Sequence, residues 1–105
     1  MPAVSIEILR IVEAAYPGFV ECRLIDAHGR EWMFVEKLPI VTAEDLGPDS
    51  NYPRSGVIAC EIVEKTRTDD GMEIVIIDTG RPWGIEATTG ESRFAIHLEQ
   101  LSISE

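Results

Sequence analysis

Gly18-Phe-Val-Glu-Cys-Arg-Leu-Ile-Asp-Ala-His-Gly-Arg-Glu-Trp-Met-Phe-Val-Glu-Lys-Leu38 is the stretch that decides the fold. Val20, Cys22 and Leu24 alternate with Glu21 and Arg23, the period of a strand with one face in a core and the other in water. Ala27, His28 and Gly29 supply turn chemistry, and the chain resumes from Glu31 to Leu38 with Trp32, Met33, Phe34 and Val35, so the whole segment predicts a hairpin. The run Trp32-Met-Phe-Val leaves two phases open for Trp32, one outward and one inward with Phe34.

The same period spreads in both directions. Val4 to Ala15 fits a helical stripe through Ile8, Ile11, Val12 and Ala15, but its many β-branched residues favour a strand. Gly56 to Lys65 alternates through Ile58, Cys60 and Ile62 and predicts one strand, turned at Asp70 and Gly71 into the nearly continuous apolar run Met72 to Asp78. Trp83 to Ala87 predicts a brief strand between turns, Ser92 to Leu98 a last one, and Ser102 to Glu105 a fraying end. Pro39 to Ser55 is the long irregular piece, with a single helical turn expected after Thr42 as its N-cap. One domain over residues 1–105 follows, all-β, a small barrel or sandwich of six to seven short antiparallel strands. A barrel is favoured because closure removes sheet edges.

Charge narrows the function. Nine Lys and Arg stand against nineteen Asp and Glu, a formal net charge of -10 and a pI near 4.5. Affinity for phosphates rests on clustered cations, so nucleic acid and anionic membranes are not expected partners, whereas a basic protein is. Many acids (Glu7, Glu21, Glu31, Glu61, Glu73 and Glu99 among them) fall opposite apolar neighbours, where a solvated face puts them. No leader or spanning segment is apparent, and Cys22 and Cys60 sit on apolar phases, which predicts buried reduced thiols and a cytoplasmic setting.

Pro17-Gly-Phe-Val-Glu-Cys, Asp26-Ala-His-Gly-Arg, Val35-Glu-Lys, Tyr52-Pro, Ile58-Ala-Cys-Glu and Pro82-Trp-Gly-Ile-Glu together resemble a group of small uncharacterised bacterial proteins with no assigned function. The resemblance implies a stand-alone bacterial domain and carries over no activity and no site residue.

Few residues are chemically suggestive. His28 lies in a turn and His97 on a polar phase, so no nucleophile, base and acid arrangement is evident. Structural zinc needs close Cys or His sets, which are missing, and Glu44, Asp45 and Asp49 read as a solvated loop before they read as a calcium site. No cofactor or metal is expected. Arg81-Pro-Trp-Gly-Ile-Glu makes Trp83 a plug closing one end of the fold or, second, an exposed anchor. Lys37, at a strand end, is expected to pair with Glu61, Glu86 or Glu21. The leading expectation is a non-enzymatic acidic interaction module for a basic protein, of inhibitor or immunity type, using Trp32, Glu44, Asp45, Asp49, Tyr52 and Trp83. The alternative is a small-molecule or enzymatic barrel with a pocket among Lys37, Tyr52, Arg54, Trp83 and Glu86. Homo-oligomerisation through an edge strand is a third, weaker reading.

Overall fold

In the computed structural model, which describes residues 1–103, eight strands form two antiparallel sheets. The first strand, β1 (Pro2–Glu13), is followed by β2 (Phe19–Ile25) and β3 (Glu31–Lys37), then a one-turn helix, α1 (Leu38–Val41). After a long loop come β4 (Arg54–Ala59), β5 (Glu61–Arg67), β6 (Glu73–Asp78) and β7 (Arg93–His97), a short 3₁₀ turn over Leu98–Gln100, and β8 (Leu101–Ile103). The larger sheet has the order β3-β2-β1-β4, with β8 also on β1; the smaller is β5-β6-β7.

The expected β2–β3 hairpin forms with Cys22 opposite Phe34 and Leu24 opposite Trp32. That register puts Trp32 on the inward phase, where its ring meets Phe94 edge-on at 5.2 Å. The segment over residues 4–15 is a strand as far as Glu13, with Ala14 and Ala15 already in the turn, for the physical reason the sequence suggests: Val4, Ile6 and Ile8 are buried at period two. Val4, Ile8, Val20, Phe34 and Ile58 of the larger sheet share one core with Val75, Ile77, Phe94 and Ile96 of the smaller. Each such side chain, fully buried, contributes about 2 kcal/mol.

Several expectations are corrected. The sheets do not close into a barrel; Ala27 N–H donates to Ala95 O and Thr88 N–H to Met33 O, both at 2.8 Å, so a turn and a loop bridge the sheets there. Residues 56–65 are not one strand. The inward phase of Ile58, Cys60 and Ile62 is kept, but Cys60 lies between β4 and β5, its N–H donating to Pro2 O, and the chain passes from one sheet to the other. Residues 83–87 form no strand: Ile85 and Ala87 are buried alternately, yet their N–H groups bond to Thr79 O and Glu91 O within the local turns. Ser102 and Ile103 pair with β1 rather than fray, while residues 104–105 lie outside the described residues. The helical turn starts before Thr42, which is its C-cap. Pro39 pre-organises that first turn, Leu38 and Val41 are buried, and the Thr42 hydroxyl instead accepts the Glu44 N–H at 3.1 Å.

Two close constraints hold this frame. Asp26 is 8% exposed, and its carboxylate accepts the His28 and Arg30 N–H groups and Trp32 Nε1–H at 2.9, 2.9 and 3.0 Å. Burial alone would raise its pKa, but these three bonds outweigh burial and lower it. The folded state therefore holds the proton more weakly than the unfolded chain; the stabilisation is present above the ordinary Asp pKa near 3.9 and is lost as pH falls through the lowered value. The second constraint is Gly56 on β4, where a Cβ would stand 2.9 Å from Val41 O and 3.0 Å from Ile6 and Ile8 Cδ1.

Asp26→Ala is expected to cost about 2 kcal/mol, about 10 °C in Tm for a chain of this size. Asp26→Asn should lose less and should show a flatter stability curve below pH 4, measured by urea titration across pH. Gly56→Ala is expected to cost about 2 kcal/mol by overpacking, read as a lower urea midpoint at unchanged slope; an unchanged midpoint would contradict the packing of α1 on β4.

Candidate interaction site

Three pieces of chain meet beyond the ends of β1 and β2. The first is the turn after β1, where Gly18, with φ +85°, donates to Ala15 O at 2.7 Å and a side chain at that backbone conformation would be strained. Glu13 Oε1 accepts the Ala15 N–H at 3.0 Å and so stays beside this turn. The second is α1, tied to the turn by Leu38 N–H donating to Gly18 O at 2.9 Å. The third is the loop over residues 42–53. Tyr52 Oη donates to Gly47 O at 2.7 Å, Ser50 Oγ accepts the Gly47 N–H, Ser50 N–H returns to Gly47 O, and Leu46 is buried.

Between them lies a notch of about 160 Å³. Its walls include Ile11, Ala14, Pro17, Leu38 and Leu46, and Tyr16 and Asp45 also line it. Tyr16 is 97% exposed. Asp49, next to the lining Pro48, is exposed. Among the described residues, none of Glu13, Asp45 and Asp49 enters an ion pair. Glu44 differs, because it is bound to Arg54. Glu44 and Arg54 border a neighbouring open concavity of about 340 Å³ with Asn51, Pro53 and Ser55.

The other anticipated residues are dispersed. Lys37 is exposed at the end of β3, opposite Phe19, and takes part in none of the ion pairs among the described residues; Glu21 pairs with Arg10 instead. Trp32 is half-buried, with the Arg30 guanidinium 4.7 Å from its ring centroid. Trp83, expected first as a plug, is 62% exposed in the turn that follows β6, and Ile85 and Ala87 are buried nearby in the chain instead. Glu86 is exposed on the same segment. No hydrogen bond, ion pair or ring contact among the described residues joins Trp83 or Glu86 to Lys37, Tyr52 or Arg54. Tyr16 was not singled out by sequence; the signal is an aromatic residue placed directly before the Pro17-Gly18 turn.

Glu36 is a second residue not singled out by sequence, since its phase follows only from the β2–β3 register. It lies opposite Val20 on the inward phase of β3, half-buried, and desolvation raises its carboxyl pKa against the opposing pull of the Lys37 backbone N–H and charge. Beneath it, burial, with smaller help from Glu36 and Glu21, pushes the Cys22 thiol up to about 12, and burial lifts Cys60 to about 11. Both thiols are free and protonated at neutral pH, which removes their nucleophilicity. No group of three or more His, Cys, Asp or Glu among the described residues is placed to hold a metal ion, and none of their helices is long and apolar enough to cross a membrane.

No protein-family model, curated protein or solved structure matches the chain.

Neither cysteine is expected to react with a chromogenic disulfide at pH 8 in the folded protein, and both should react in denaturant. Rapid reaction of either thiol under native conditions would contradict its burial.

Proposed function

We propose that the protein is a non-enzymatic, acidic interaction module of inhibitor or immunity type, acting in the cytoplasm on a basic protein. The observation that carries this reading is the exposed Tyr16 at a notch with apolar walls that Asp45 also lines, with Glu13 and Asp49 next in sequence to the lining Ala14 and Pro48 and no ion pair to any of the three. The lack of an ion pair is shared with other acids among the described residues, such as Glu61, Glu64 and Glu86, so the place beside the notch and the ring is what sets these three apart. Other acids are held within the fold. Arg23 holds Glu7 and Glu31 across three strands, Arg10 holds Glu21, Arg67 holds Glu73 and Arg93 holds Asp78. Unneutralised carboxylates beside an exposed aromatic ring suit cationic side chains, through charge complementarity at the rim and ring stacking at the centre. The alternative of a ligand-binding barrel gains no support from the geometry, since the sheets do not close and no described pocket is lined by both Trp83 or Glu86 and any of Lys37, Tyr52 and Arg54.

The test is affinity capture at low salt with the full chain and with the triple variant Glu13→Lys, Asp45→Lys, Asp49→Lys. The wild type is expected to retain a basic protein that 0.5 M salt releases and that the triple variant retains at least tenfold less. Equal retention by both baits, with the variant's circular dichroism unchanged, would overturn the reading.

A further inference from the structure

The notch is small for a ligand site. Pockets that hold free small molecules run to about 300–1,000 Å³, against about 160 Å³ here. Its walls are apolar at Ile11, Ala14, Pro17, Leu38 and Leu46, and its polar character comes from the edge: Asp45 in the wall, Glu13 beside Ala14, Asp49 beside Pro48. The cations at this end are otherwise placed, Arg54 on Glu44 and Lys37 on the outward phase of β3. Bonds from Tyr52 and Ser50 to Gly47, and from Leu38 to Gly18, hold the walls before anything binds, which limits the ordering cost of association.

Resting on the interaction reading above, we infer that the notch receives one aliphatic side chain from a short linear segment of the basic partner, with a Lys or Arg on either side of it. The aliphatic anchor buries against Leu38 and Leu46, one flanking cation meets Asp45 and Asp49, and the other lies over the Tyr16 ring beside Glu13. A single apolar anchor ringed by weaker polar contacts is the usual way a small interface concentrates its affinity.

The probe is the peptide acetyl-Gly-Lys-Leu-Lys-Gly-amide, titrated into the ¹⁵N-labelled full chain and followed by amide shifts, beside the same peptide with Ala for Leu and with Glu for both Lys. Shifts are expected to centre on Gly18 and Gly47, with binding about tenfold weaker for the Ala peptide and none for the Glu peptide. Ala14→Phe, at an exposed position in the wall, is expected to block the notch and abolish the response without disturbing the core. Equal affinity of the Leu and Ala peptides, or shifts centred away from the notch, would overturn this inference while leaving the charge-based reading intact. The same holds if no peptide binds but the capture experiment succeeds, because the partner then presents a folded basic face. Failure of both experiments overturns both.

Discussion

Strand β1 is the member on which the larger sheet depends, because three other strands hydrogen-bond to it. Its first residues, Pro2 to Val4, pair with β8; residues 3–8 pair with β4; and residues from Glu7 onward pair with β2. One edge thus serves β8 and then β2, and the register irregularities after Ile8 and Ile11 accompany its outer half. Because Val4, Ile6 and Ile8 are buried, a one-residue slip of this strand would expose its whole apolar set and misplace three ladders together. Cys60 adds to the same dependence, since its bond to Pro2 O sits where the chain leaves the larger sheet for the smaller.

The net charge of -10 is unevenly committed over this frame. On the outer face of the larger sheet Arg23 bridges Glu7 and Glu31 at 2.8 and 3.1 Å, a cross-strand row that reinforces register more than it adds stability, as exposed ion pairs contribute little. Five arginines are occupied in this way across the described ion pairs. The acids at the turn after β1 and in the loop before β4 share their lack of an internal cation with others among the described residues, such as Glu61, Glu64 and Glu86; they differ in place, Asp45 lining the notch and Glu13 and Asp49 standing next in sequence to residues that line it.

Much of the fold is legible in the sequence because period two survives wherever one face is buried. Val20, Cys22 and Leu24 announce β2, and Ile58, Cys60 and Ile62 announce an inward phase. What the period cannot show is which partner a strand takes, so the change of sheet at Cys60 is invisible in an unbroken alternation. Ile85 and Ala87 mislead for a related reason: alternating burial is satisfied there by turn hydrogen bonds instead of a ladder. The site is legible only in part. Asp45 and Asp49 stand out as loop acids, and Tyr52 does so for its place in the loop. Tyr16 and Glu13 belong to a turn and strand end whose meeting with that loop depends on the chain reversal at Gly18 and on α1, contacts distant in sequence.

The sheet edges bear on where a partner would meet the protein. β5, at one edge of the smaller sheet, carries Glu61, Glu64, Lys65 and Arg67 within seven residues and a register irregularity between Ile62 and Glu64. Charges and bulges of that kind oppose strand addition. On the β3 side of the larger sheet, Thr88 already donates to Met33 O, and β8 spans three residues among those described. Strand-to-strand association is accordingly disfavoured at these edges, whereas the turn after β1 and the loop before β4 present apolar surface, carboxylates and an exposed ring in pre-ordered positions. Loops held on a rigid sheet are where binding residues commonly reside, since they change without cost to the core. Here the hydrogen bonds to Gly47 and Gly18 supply that rigidity, and the sheets beneath supply the fixed frame.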